Sequence, residues 1–299
     1  QIGLGLGLIG IFASIYHPVG IAMVIEGGGK VGWRLGVNGL WGNMGVAAAP
    51  LVTGLILVQF DWRMAFIIPG SISILIGLGF LGFVRSVDVR APEAIRQEKE
   101  LIGFAPGWQR ALVSLALVTA AGGFVFGAMT FLIPRLFEVR MQGITSDIAV
   151  TGTLASIIYA VAAFAQLVVG RAIDKRSIKN VLIFIAVGQP LLLFLMAMQT
   201  DYALFAVSLL AMGFVFGQIP ITDAVLSQYV PDQWRAKVLS IKFLINLVIG
   251  ALALMTARYL LSTGAGFEAV MRVISIAACF IVGAAILLPN RHAFPTVKS

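Results

Sequence analysis

The sequence predicts an all-α polytopic membrane protein with nine transmembrane helices, and three observations predict it. Hydrophobic residues make up 60% of the 299 and charged residues only 11%, where a soluble domain carries roughly 25% charged; mean hydropathy is +1.00. Nine apolar stretches each reach or approach the roughly 20 residues a helix needs to cross a bilayer. Runs such as Leu191–Met198 show no period-two alternation. A lipid-spanning barrel would need that alternation, so the spans are helices that satisfy their own backbones.

Taken in order, residues 2–25 are apolar apart from a Ser-Ile-Tyr-His-Pro segment at 14–18. Residues 35–59 are rich in small side chains, and 63–84 run to Arg85. Residues 85–100 then hold Arg85, Asp88, Arg90, Glu93, Arg96, Glu98, Lys99 and Glu100, and Pro92 and Pro106 bracket a short stretch able to form a surface helix. So dense a charge run is a solvated connection. Six further spans follow at 109–134, 147–170, 180–199, 202–226, 238–261 and 267–288.

The net charge of +8 invites a nucleic-acid reading, and its distribution argues against one. With residue 1 outside, the outer connections hold Arg63, Arg135, Arg140, Arg258 and Arg272, and the other sixteen of the 21 cations fall on the cytoplasmic side. That asymmetry is the positive-inside rule, and it puts the C-terminus in the cytoplasm. The basic balance is thus a topology signal. A single cysteine, Cys279, permits no internal disulfide and no cysteine-based metal site. A bacterial inner membrane suits these features.

The first part of the chain reappears about 200 residues later. Pro18 stands fifteen places before Trp33-Arg34, and Pro220 stands fourteen before Trp234-Arg235; Asn43 then falls near Asn246 and Phe66 on Phe267. Two similar apolar halves mark a transporter built by duplication. The first three spans match the last three, so the expected organisation is 1–84 as the end of a first six-helix bundle, 85–108 as a cytoplasmic linker, and 109–299 as a complete second bundle. Three helices, on the order of 100 residues, are expected ahead of Gln1.

Two motifs carry a family resemblance. The segment Gly170-Arg-Ala-Ile-Asp-Lys-Arg-Ser-Ile-Lys179 ends one span and opens the next with a cation-rich turn in which Asp174 can cap or pair across helix ends. Through Gly170, Asp174, Lys175 and Lys179 it resembles the loop between the second and third helices of each half in the major facilitator superfamily. Ile178 and Ser177 depart from that pattern. The resemblance implies a general-substrate-transporter fold of twelve helices, and a loop that stabilises one access state. In the span 35–59, Gly36, Gly45, Pro50 and Gly54 fall at the spacing of that superfamily's antiporter helix, with Ala49 in place of one glycine. The resemblance implies proton-driven export there; close helix packing alone is the plainer reading. Residues 14–24 and 218–244 resemble the fosmidomycin-resistance branch of the superfamily.

His17 and Asp223 are the titratable residues deepest in the spans. Aligning Pro18 with Pro220 puts Asp223 opposite Ile21, one turn from His17 on the same helix face. An ionisable group in a membrane helix marks a pathway or proton site, and histidine titrates near neutral pH. Interhelical hydrogen bonding is the other reading for His17, and pairing with Lys242 or Arg235 the other for Asp223. Tyr16, Tyr159, Gln166, Gln218 and Asn246, with Gln189, are candidates for the cavity or for helix contacts. Arg135, Glu138 and Arg140 form a charged rim or an outer gate.

The sequence therefore predicts a monomeric secondary transporter moving a small organic solute with protons across the bilayer, by export or, alternatively, by uptake. No cofactor, metal or nucleic acid is expected. A membrane-embedded enzyme would need a catalytic set at one depth, and only scattered single groups occur. The Gly5–Gly10 match to a dinucleotide loop lies inside a span with no preceding strand.

Overall fold

The computed structural model describes residues 2–26, 30–86 and 103–290. Every regular element among them is an α-helix: α1 Ile2–Glu26, α2 Val31–Gln59, α3 Met64–Ser86, α4 Trp108–Arg140, α5 Ile148–Ala163, α6 Ala165–Lys175, α7 Ile178–Ala197, α8 Asp201–Tyr229, α9 Asp232–Ser262 and α10 Gly266–Leu287. Helices α5 and α6 form one span. At Phe164 the ladder tightens, Phe164 N–H donating to Val161 O and Leu167 N–H to Phe164 O, each three residues back. That gives nine helices long and apolar enough to cross a membrane among the described residues. Several outrun their apolar runs. Helix α4 continues to Arg140 and α9 begins at Asp232, because polar helix ends reach water and headgroups without leaving backbone groups unpaired.

Helix ends follow the local chemistry. Asp201 and Asp232 stand in the first turns of α8 and α9, and Lys175 in the last turn of α6, each complementing the helix dipole. Prolines inside α1, α4, α7 and α8 (Pro18, Pro134, Pro190 and Pro220) are tolerated where neighbouring helices satisfy the freed groups. Trp33-Arg34 and Trp234-Arg235 occupy the third and fourth positions of α2 and α9.

The chain divides into two compact units, Gln1–Ala47 with Phe104–Ser299, and Ala48–Gly103. In the first, α4 packs on α8, α9 and α10, α7 packs on α8 and α10, and α5 and α6 lie against α8. Helix α8 is the most buried, with Phe216, Ile221, Leu226 and Tyr229 in the core. Serines tie helices together: Ser114 Oγ donates to Ala284 O (2.6 Å) and Ser275 Oγ to Pro190 O (2.8 Å). Helix α1 joins this unit through α9. Among its described side chains it buries Ile21 and Ile25, near its C-terminal end. Helix α2 likewise buries Val31 and Leu35 at its start. The second unit holds the end of α2 and all of α3, which buries no side chain. This boundary falls inside α2, whereas the repeat in the sequence puts the expected one at residue 84. Most of the expected linker, 87–102, lies outside the described residues.

Candidate functional site

The sequence puts few ionisable groups inside the spans, and the fold gathers the deepest ones. Among the described residues, the buried charged side chains are Asp223, Arg235 and Lys242. Asp223 of α8 forms an ion pair with Lys242 of α9, and both side chains are nearly sealed. The nineteen-residue separation crosses the short connection between α8 and α9, so the hairpin itself brings the pair together. His17 of α1 stacks on Phe243 with ring centroids 4.5 Å apart, and Lys242 Nζ lies 5.3 Å from the same ring. Tyr16 meets His17 edge-on at 5.4 Å. His17 also lies within electrostatic range of Asp223 and Lys242. Two turns earlier on α9, Arg235 pairs with Asp232 (2.6 Å) and donates to Val230 O (3.4 Å), while its Nε is buried without a partner. The structure therefore brings His17 and Asp223 to one place, adds Lys242, and supplies the aromatic contact.

A second contact is built from backbone. Asp174, at the end of α6, accepts hydrogen bonds from Gly32 N–H (2.7 Å) and Trp33 N–H (2.8 Å) at the start of α2. A carboxylate there satisfies two orphan donors and the helix dipole together. Beside it, the Arg171 guanidinium sits 4.1 Å from the centre of the Trp33 ring. The helices cross so closely that a Cβ on Gly36 would strike the Gln166 carbonyl and one on Gly170 the Gly32 carbonyl. Of the loop residues, Lys179 donates to Ile286 O (2.8 Å) and Lys175 is exposed. Of the antiporter-type positions, Gly36 packs in this way, Gly45 and Gly54 have open space beside them, and the Pro50 side chain lies outside the described residues. The close approach runs instead along Gly32 and Gly36, a face whose use the spacing motif did not predict.

The amides divide between core and seam. Gln189 Nε2 donates to Gln218 Oε1 (2.7 Å), and Gln218 Nε2 donates to Val118 O (3.2 Å), linking α7, α8 and α4. Tyr159 Oη donates to Thr130 O (2.9 Å). Asn246 Oδ1 lies against Gly123 of α4. Gln166 is fully buried beside Gly39 with neither amide atom hydrogen-bonded, and Asn43 Nδ2, one turn on from Gly39, is also buried without a partner. Tyr16 is exposed. At the rim, Arg135 pairs with Glu138, and Arg140 donates to Ala197 O. Sequence reading missed Thr119, whose buried hydroxyl on α4 has no partner, because a lone threonine in an apolar run carries no pattern.

The sequence model described as Major Facilitator Superfamily matches residues 3–254 and 141–298. The chain belongs to the Major Facilitator Superfamily. It is a multi-pass membrane protein of a family of secondary transporters. Two crystal structures share its fold. One is the E. coli fucose:proton symporter FucP in a variant form, at 12% identity and TM-score 0.69, covering 92% of this chain and 74% of that one. The other is FucP in the outward conformation, at 12% identity and TM-score 0.67, covering 92% and 73%. No curated protein sequence matches the chain.

Proposed function

We propose that this superfamily member is a proton-coupled secondary transporter of a small organic solute, working by alternating access. The observation that carries the reading is the meeting of His17 with the Asp223–Lys242 pair where α1 lies against α9. Buried ionisable groups within spans are costly and mark proton or substrate pathways. In this reading Asp223 exchanges the proton and His17 senses or relays it. The Asp174 cap holds α2 against α6 in one access state, and Tyr16, Tyr159, Gln166, Gln218 and Asn246 line or support the solute path. Residues 1–84 belong to a first helical bundle and 109–299 form a second, joined by 85–108; the repeat supports this division. The protein acts as a monomer in a bacterial inner membrane with its C-terminus in the cytoplasm, as the cation asymmetry supports.

Export in exchange for protons is the direction favoured by the glycine spacing of α2 and by the resemblance to the fosmidomycin-resistance branch. The Asp223–Lys242 pair favours the second reading, uptake together with protons, since a proton on Asp223 frees a cation to hold a solute. Solute flux in everted and right-side-out vesicles under an imposed pH gradient separates the two. If His17→Ala and Asp223→Ala both keep full pH-driven flux, the proton-coupled reading is wrong.

A further inference from the structure

We propose that Lys242, flanked by Arg235, is the binding site for an organic acid with a flat apolar body, and that the acid and a proton on Asp223 bind together. The inference rests on the proton-coupled reading above and names the class of solute.

The charge inventory points to an anion. The buried charged side chains among the described residues are one acid and two bases, all on α8 and α9. Asp223 neutralises Lys242. Arg235 lies on the same face of α9, seven residues or about 10 Å nearer the helix start. Its guanidinium is held by Asp232, whose side chain is 39% exposed, and by a backbone carbonyl, and its buried Nε is unpartnered. This end of the seam therefore carries more buried positive charge than buried negative charge.

The other charged groups nearby are engaged elsewhere or lie at helix ends. Glu26 ends α1, and Arg110 stands in the first turn of α4. Lys237 lies over Trp234, Asp174 caps α2, Arg171 covers Trp33, and Lys179 holds the Ile286 carbonyl. Helix α5 offers no charged side chain, and those of α10, Glu268 and Arg272, pair with each other at its far end. His17 is the remaining titratable group, and it reaches the pair through Phe243.

The step is an exchange of counter-ions. With Asp223 ionised, Lys242 is already paired, and a solute carboxylate would meet Asp223 as a like charge. A proton taken from water forms an O–H bond on the Asp223 carboxyl and cancels its charge. The Lys242 ammonium then turns to the solute carboxylate, and the net charge of the site with the solute bound equals that of the original ion pair. The rings of Phe243, His17 and Tyr16 supply the apolar wall, opening when α1 parts from α9. One proton accompanies each acid, so proton and solute move the same way, which selects uptake over exchange.

The test uses the 299-residue chain in lipid nanodiscs with radiolabelled benzoate as probe, at a lower pH of about 5.5 and a higher pH of about 8. Benzyl alcohol and benzylamine serve as neutral and cationic competitors. Benzoate is expected to bind roughly tenfold or more tightly at the lower pH, a factor of ten being one pH unit for a single coupled proton. Asp223→Asn should bind it equally at both pH values, Lys242→Gln should lose it, and Lys242→Arg should retain it. Asp223→Asn/Lys242→Gln, which removes both charges together, should remain monodisperse without binding benzoate, separating loss of the site from loss of the fold. Absence of benzoate binding at the lower pH, or binding that survives Lys242→Gln, overturns the proposal. Displacement of a pH-dependent signal by benzylamine overturns the anion site and leaves proton coupling standing. Benzoate binding that needs Lys242 yet ignores pH in the unmodified chain overturns both the joint binding and the proton-coupled reading.

Discussion

Where α1 meets α9, the contact consists of a ring stack beside a buried ion pair; where α2 meets α6, it consists of backbone, with glycines on both helices and a carboxylate capping a helix end. The first contact rests on charge, so it depends on the ionisation of both partners of the pair. The second rests on close packing, because two carbonyls occupy the space a side chain would need. One seam is thus a matter of charge and the other of backbone packing, so a change of protonation bears on the first and a change of side-chain volume on the second.

The largest effect is expected in the charged seam. Lys242→Met leaves Asp223 buried without its partner, at a cost of about 3–5 kcal/mol. Asp223→Met with Lys242→Met should recover most of that loss, and the two melting temperatures in detergent give the check. A double variant no more stable than Lys242→Met alone would mean that the pair is not an isolated unit. Gly170→Val comes next, since its side chain would strike the Gly32 carbonyl; overpacking of this kind costs about 1–3 kcal/mol. No single compensating change on α2 is expected to rescue it, because the obstacle is backbone. Asp174→Ala removes two hydrogen bonds at the start of α2 and should cost about 1 kcal/mol, with Asp174→Asn keeping most of the stability. Protection of the Gly32 and Trp33 amides in hydrogen exchange reports it directly. Trp33→Ala, which removes the ring beneath Arg171, is expected to cost about 0.5–1 kcal/mol. A Trp33→Phe variant that melts like Trp33→Ala would show that the cation contributes little.

The spans were legible in the sequence because lipid leaves the backbone no choice, so length and hydropathy alone located each helix. His17 and Asp223 were legible for the same reason: an ionisable residue stands out against an apolar background. Lys242 was visible only as one of two possible partners, because choosing between Lys242 and Arg235 needs the rotation of α9 relative to α8. Phe243 was not visible at all, one of 20 phenylalanines with nothing local to mark the one facing a histidine. The glycine face of α2 was half legible. The spacing motif picked out Gly36, but Gly32 mattered more than Gly45, because contact depends on where α6 crosses. Asp174 was half legible too: a lone carboxylate at a helix end amid cations left a cap or an ion pair open, and the structure shows the cap.

Among the described side chains of α1, burial is confined to Ile21 and Ile25, so its contact with α9 lies toward one end. A body held that way is a lever. At about 1.5 Å per residue a helix of this size is roughly 37 Å long, and tilting it by about 10° around its anchored end swings the far tip by roughly 6 Å. Under the coupling proposed above, a rearrangement of two side chains beside Phe243 would be magnified into a displacement of the distant tip on the scale of a small aromatic ring.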